Sequence, residues 1–260
     1  SKIRGIQSNG MLCSEEELGI EEKSTGIIEL NDSYQVGKSF SDYVSDEDVE
    51  VEIAITPNRV DCAGVYGIAR DLSASGLGKL KELKVEDIKS TQKSIIKIEN
   101  KLKDKDCPQF FLREVKNISN TDSPDWMLKR FKMTGIKIIS CLVDITNYIN
   151  FDLCRPLHVF DADKIQGDIV IRHSKKGEKF LGLDDQEYIL DDNMIVICDE
   201  NKIISLAGIL GGKNSCCDHE TKNILIESAY FLPDSISSTG RKLNIRSDAR
   251  YRFERGIDPE

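Results

Sequence analysis

The stretch Leu142–Ile165, LVDITNYINFDLCRPLHVFDADKI, mixes Asp144, Thr146, Asn147, Asn150, Asp152, Arg155, His158, Asp161 and Asp163 with apolar residues. A plain core segment would not carry so many hydrogen-bonding groups, because burying them unpaired is costly. A plain loop would not carry Leu142, Val143, Ile145, Tyr148, Ile149 and Phe151 at this density. The spacing of Leu142, Ile145, Tyr148 and Ile149 predicts a helix. Pro156 then turns the chain just before His158, which brings His158 back toward Thr146 and Asn147 if the chain doubles on itself. A polar pocket with apolar walls is the expectation, and that is how small-molecule sites are built.

On the C-terminal side the pattern is β-rich. Strands are expected near Ile169–Arg172, Lys179–Leu181, Tyr188–Leu190, Met194–Cys198, Ile203–Leu206 and Asn223–Ser228, with turns at Asp184-Asp185 and Asp199–Asn201. A helix is expected after Pro233. On the N-terminal side, strands are expected at Ile95–Ile98 and Phe110–Val115. A helix is expected from Ser123-Pro124-Asp125, with proline at its first position, to Gly135. Farther back, the charged run Lys79–Lys93 reads as a linker. Before it, Val49–Ile55 alternates like a half-buried strand, Thr56-Pro57-Asn58 breaks it, and Asp61 caps a helix through Ile68 to about Leu72, closed by Gly76 or Gly78. The first thirty residues read as turns around a short strand. The expected class is α+β, with mostly antiparallel sheets and packed helices after a small strand-helix unit.

Composition excludes several classes. Of 260 residues, 39% are hydrophobic and 31% charged, which fits a water-soluble domain protein. The longest apolar run, Ile203–Leu210, is too short to cross a membrane, and the start lacks the pattern of a secretory signal. A net charge of −9 argues against a general nucleic-acid binder, though not against contact with a nucleic-acid end. Arg241, Lys242, Arg246, Arg250, Arg252 and Arg255 cluster near the end, where a solvated or ion-paired face is the plain reading. The eight cysteines contain no C-x-x-C pair, so reduced packing residues are expected and a structural zinc site is not. The abrupt ends suggest a piece of a longer protein.

Three features carry chemistry. His158 has a hydroxyl and an amide within possible reach, a set that can orient a water and move a proton; His173 and His219 lack such company. Gly208, Gly211 and Gly212 in AGILGG allow a close backbone approach or simply a turn, and form neither a P-loop nor a dinucleotide fingerprint. Glu227 interrupts the apolar run ILIESAYF. Strand alternation would point it to water by default; pointing inward, it would need a partner.

The chain resembles the bacterial phenylalanyl-tRNA synthetase β-subunit family. The motifs are GIxSxGMLCSxxELG at Gly5–Gly19, TPNRxDxxxxxGIARDL at Thr56–Leu72, VDITNYI at Val143–Ile149, RPLHVFDADKI at Arg155–Ile165, AGILGG at Ala207–Gly212, ESAYFxP at Glu227–Pro233 and SDARYRFERGIDP at Ser247–Pro259. The resemblance implies that residues 1–44 end an OB-type tRNA-binding domain with its connection. Residues 45–93 would form a strand-helix unit with the linker, and 94–260 an editing domain. It implies hydrolysis of tyrosine wrongly esterified to the tRNA for phenylalanine, with the tRNA 3′ end, mischarged tyrosine and a synthetase α subunit (two α and two β chains) as partners, in the cytoplasm. By the same resemblance His158, Thr146 and Asn147 act at the ester, Glu227 meets the tyrosine hydroxyl, Gly211 lines the pocket and Ala249 leaves room for the ring. Lys137 and Ser247 stand where some relatives have arginine and threonine. No cofactor or metal is implied for this segment; ATP and magnesium belong to the complete synthetase. The other class of reading is a non-catalytic module that docks tRNA or the α subunit.

Overall fold

The computed structural model describes residues 2–20, 23–30, 32, 34–44 and 49–259. The chain divides into two compact units, 1–51 and 52–260.

The first unit is mostly turns. It holds a short hairpin, β1 (Lys2–Ile3) and β2 (Ile6–Gln7), and one helical turn, α1 (Ser41–Val44). Ser14 and Glu17 cap each other: the Ser14 amide donates to Glu17 Oε2 at 2.9 Å and the Glu17 amide to Ser14 Oγ at 3.2 Å.

The second unit runs α2 (Val65–Ala74), β3 (Ile98–Asn100), β4 (Gln109–Val115), α3 (Asp125–Thr134), α4 (Cys141–Leu153), β5 (Leu157–Asp161), β6 (Ile169–His173), β7 (Lys179–Leu181), β8 (Glu187–Ile189), β9 (Ile195–Cys198), β10 (Ile203–Leu206), β11 (Leu210–Gly211), β12 (Ile224–Tyr230), α5 (Pro233–Lys242) and α6 (Asp248–Phe253). A five-stranded sheet has the order β11-β10-β9-β6-β3, antiparallel except for the β3–β6 pair, and a three-stranded antiparallel sheet has the order β4-β12-β5. The class is therefore α+β and mostly antiparallel, as the sequence pattern predicts. Val196 and Ile197 of β9, Ile204 of β10, Phe160 of β5, Leu225 of β12 and Phe231 form one buried core. β9 is buried along its whole length. That explains why its sequence is a continuous apolar run rather than an alternation.

The Leu142–Ile165 stretch folds as α4, a sharp reversal, and β5. The preceding segment satisfies the orphan amides of α4: Leu142 N donates to Asn120 Oδ1 at 3.2 Å and Cys141 N to Thr121 O at 3.1 Å. The fully buried Asp144 accepts from Ser123 Oγ at 2.6 Å and from Ile139 N at 2.9 Å, beside the positive end of the helix dipole. Cys154 ends the helix in the left-handed region at φ 55°, and Pro156 cannot continue it. Asp161 likewise accepts from Thr221 Oγ1 at 2.7 Å and from Asp163 N at 3.0 Å, and Asp163 holds Asn223. These aspartates fasten the fold.

Five local expectations need correction. Residues 49–55 form no strand: Val49, Val51 and Ile53 are exposed and no ladder partner meets them among the described residues. Alternation without a partner strand stabilises nothing. The start of that unit, 45–48, lies outside the described residues. Asp61 does not cap α2. It sits in a 3-10 turn whose carboxylate takes Arg59 and Arg70, while Gly64 opens the helix. A Cβ on Gly64 would lie 2.6 Å from Cys154 N, so the absent side chain lets α2 abut the end of α4. Pro124 stands just before the first turn of α3 rather than within it. The strand expected from Ile95 begins at Ile98. In the basic terminal run, Arg250 and Arg255 pair with Glu254, but Arg252 is buried.

Replacing Asp144 with alanine leaves two donors beneath α4 without an acceptor. The expected loss is about 2–4 kcal/mol of stability, read as a lower urea midpoint; an unchanged midpoint would contradict the role given to Asp144.

Candidate functional site

β12 lies between β4 and β5, and its register sets Glu227 opposite His158 on one side and Leu112 on the other. Directly paired residues of antiparallel strands project from the same sheet face. That face also carries Leu225 and Phe160, both core residues, so Glu227 points inward rather than to water. It is 5% exposed, and its Oε2 has no hydrogen-bond partner. His158 Nε2 is also enclosed and unpartnered. Its ring rests edge-on against Phe160, with centroids 4.5 Å apart.

Burial fixes the charge state of both groups. It pushes the Glu227 carboxyl up to about 8 and the His158 imidazole down to about 4. Between those limits the site holds a carboxylic acid and a neutral imidazole. The acid can donate one hydrogen bond and accept others.

A cavity of about 130 Å³ opens beside the pair, lined by Pro156, Leu157, His158, Ser205, Gly208–Gly211, Glu227, Ala249 and Phe253. This is the scale of a single aromatic ring, since a cavity of about 150 Å³ holds benzene. Gly211 makes room for the imidazole: a Cβ there would lie 2.3 Å from His158 Cε1. The strand pair β10–β11 sets Ser205 opposite Gly211. On α6, Ala249 and Phe253 are one turn apart and face the cavity together.

The other sequence-singled residues lie elsewhere. Asn147 and Lys137 line a second cavity of about 350 Å³ with Asn150, Asp248 and Arg252. Thr146 is buried, and its hydroxyl donates to Val143 O in its own helix at 2.7 Å. Ser247 does not line the ring-sized cavity. Its hydroxyl accepts from Arg250 N, capping α6, and donates to Ile209 O at 2.6 Å, so it ties α6 to the glycine-rich turn. The structure therefore brings together His158, Glu227, Gly211 and Ala249, and leaves Thr146, Asn147, Lys137 and Ser247 outside that cavity. Ser205, Phe253, Asn150 and Arg252 are additions. Phe253 follows Ala249 at helical spacing, a signal present in the sequence; Ser205 carries none that separates it from an ordinary strand serine.

Asp61, Cys62 and Asp71 each present a ligand atom within 4.8 Å of one another. Arg59 already holds both carboxylates, at 2.9 and 2.7 Å, and Arg70 holds Asp61, so the cluster is an ion-pair network. The paired guanidinium keeps both carboxyls below the usual range.

A family model described as the B3/4 domain matches residues 106–260. The chain belongs to the B3/4 domain family. It is similar along its whole length to the Phenylalanine--tRNA ligase beta subunit of Brucella abortus (strain 2308), 50% identical over 264 residues, and to that of Mesorhizobium japonicum, 49% identical over 259 residues. It spans 32% of each of those relatives' length. Among solved structures it is similar to an N-terminal fragment of the phenylalanyl-tRNA synthetase beta subunit from Pyrococcus horikoshii, with 18% identity and a TM-score of 0.41, covering 72% of this chain and 60% of that one. The relatives are thus those that the sequence motifs lead one to expect. No helix among the described residues is long and apolar enough to cross a membrane.

The raised Glu227 carboxyl gives a pH test. The folded state holds a proton that the unfolded state releases above the ordinary carboxylate value of 4.5. Its contribution is complete below that value and is lost as pH rises through about 8. Glu227→Gln removes the loss. Relative to wild type, the variant gains on the order of a few kcal/mol between pH 5 and pH 9, measured by urea unfolding across pH. A constant difference would contradict the raised value.

Proposed function

We propose that this chain is the editing part of a phenylalanine–tRNA ligase β subunit and hydrolyses tyrosine esterified to the tRNA for phenylalanine. The carrying observation is Glu227: a buried carboxyl with an unpartnered oxygen that lines a ring-sized cavity, across one strand pair from a histidine whose Nε2 is unpartnered. Tyrosine and phenylalanine differ by one hydroxyl. An apolar synthetic pocket rejects an added hydroxyl only modestly. A site with a polar group at the ring's far end rejects phenylalanine more strongly, since phenylalanine leaves that group unpaired.

In this reading the ring lies between Ala249 and the Gly208–Gly211 turn, with its hydroxyl on Glu227. The protonated carboxyl accepts a hydrogen bond from the phenol hydroxyl or donates one to it without bringing a buried charge. Gly211 admits the His158 ring. Neutral His158 sits nearest the bond to be broken and orients the attacking water or the substrate. Water adds to the acyl carbon and gives up a proton, the bond between the acyl carbon and the ribose oxygen breaks, and the ribose oxygen takes up a proton to leave as a hydroxyl. An aminoacyl ester is already activated, so positioning and oxyanion stabilisation suffice. Asn147 and Lys137 meet the RNA end from the second cavity, Thr146 holds the α4 turn that carries Asn147, and Ser247 holds the turn that carries Gly211.

The remaining calls belong to the same proposal. Residues 1–44 are the tail of a tRNA-binding domain, 45–93 a connecting unit, and 94–260 the editing domain. The whole protein works in the cytoplasm with an α subunit, which supplies the ATP- and magnesium-dependent attachment of phenylalanine.

The test is deacylation of preformed tyrosyl-tRNA by the full-length enzyme. Glu227→Ala and His158→Ala are each expected to slow it on the order of tenfold to hundredfold. Full activity in both variants would overturn the proposal.

A further inference from the structure

A second carboxyl points inward from the three-stranded sheet. β12 sets Leu225 opposite Phe160 on β5 and opposite Glu114 on the edge strand β4. Paired residues share a face, and Leu225 and Phe160 belong to the buried core, so Glu114 faces inside as well. Its side chain is 9% exposed. Oε1 pairs with Lys116 Nζ at 3.1 Å, while Oε2 is enclosed and has no hydrogen-bond partner. An inward charge on an edge strand guards against edge-to-edge association. That role does not account for an enclosed carboxylate oxygen without a donor, since buried acceptors are nearly always satisfied.

Glu114 lines a cavity of about 360 Å³, which shares no lining residue with the ring-sized one. Its other walls come from Ile95 and Ile96, just before β3, and from the 162–168 connection between β5 and β6. β3 is the edge strand of the five-stranded sheet, so the cavity opens beside one edge of each sheet. Ile96, Ala162 and Ile165 pack against the core and give it an apolar floor. Asp163 and Asp168 join Glu114 in the lining, against one lysine, Lys116. Both Asp163 oxygens accept from Asn223 Nδ2 at 3.0 Å, and Asp168 Oδ1 accepts from Lys97 N at 2.9 Å, so these two carboxylates are held in place.

The lining narrows the class of ligand. Three carboxylates around one lysine repel an anion, and Glu114 Oε2 needs a donor. A metal ion needs oxygens that converge on one point. Among the described residues the three-ligand cluster within 4.8 Å is Asp61, Cys62 and Asp71, and the acids of this cavity form none. A guanidinium spreads five donors over a plane, matches carboxylates with two bonds at once, and is weakly enough hydrated to enter an enclosed place. Its aliphatic stem covers an apolar floor. The surroundings suit a carrier chain: the rim residue Ile95 is 83% exposed and Ile98 of β3 is 40% exposed, so apolar surface continues outward from the opening. We propose that the cavity beside Glu114 is a subsite for the arginine side chain of a partner polypeptide, with the guanidinium on Glu114 and the stem on Ile96 and Ile165. This subsite does not rest on the hydrolytic reading of the ring-sized cavity.

The test is a titration of this chain with the blocked peptide acetyl-Ala-Arg-Ala-amide, followed by ligand-observed NMR. Its counterpart with citrulline, which keeps the shape and loses the charge, is expected to bind about tenfold more weakly. Glu114→Gln, which keeps the shape of the side chain, is expected to weaken the arginine peptide about tenfold. Lys116→Ala removes the cation that competes for Glu114 and is expected to strengthen binding about threefold. A misfolded variant would not bind more tightly, so the two opposite shifts separate a binding role from a structural one. No binding of the arginine peptide, equal binding of the citrulline peptide, or an affinity indifferent to Glu114→Gln overturns the subsite. Binding of agmatine without binding of the peptide gives the cavity to a free guanidine and overturns the polypeptide partner. Displacement of the peptide by magnesium chloride, but not by sodium chloride of equal ionic strength, gives it to a metal and overturns the proposal.

Discussion

Two titratable side chains face each other across adjacent antiparallel strands, and neither is given a counter-charge. The enclosure of Glu227 and His158 is the constraint on which the site depends. Burial without an opposite charge drives each toward its neutral form. Antiparallel register keeps them on one face. A glycine on a different sheet leaves the space that the imidazole fills. The fold stabilises a neutral acid next to a neutral imidazole.

The support for this pair reaches through the chain. Buried Asp144 anchors the start of α4, the turn at Cys154–Pro156 sends the chain into β5, and Asp161 fixes the end of β5 to Thr221. Ser247 ties α6 to the glycine-rich turn, so the wall that carries Ala249 moves with the floor that carries Gly211. Long-range side-chain-to-backbone links of this kind hold a site rigid.

Much of this was legible in the sequence. The periodicity of Leu142, Ile145, Tyr148 and Ile149 marks α4, and the proline turn marks the reversal. The apolar runs Ile195–Cys198 and Ile203–Leu206 mark buried strands. The direction of Glu227 was not legible from alternation, because a central strand covered on one face only tells inside from outside once its partners are known. The strand expected at 49–55 failed for the converse reason: its alternation has no ladder to join. The division of the polar residues between two cavities was also hidden. Thr146 and Asn147 are adjacent in sequence, but helical rotation turns one into the packing and the other toward a cavity. Arg252 looked like one of several surface cations. Only tertiary packing buries it.

The central claim is that the Glu227 carboxyl recognises a hydroxyl at the end of an aromatic ring. A crystal structure with tyrosine bound tests it most directly. The account predicts the ring within the cavity between Ala249 and Gly211, with the phenolic oxygen within hydrogen-bonding distance of Glu227. Tyrosine bound elsewhere, or with its ring reversed and its hydroxyl away from Glu227, would contradict it.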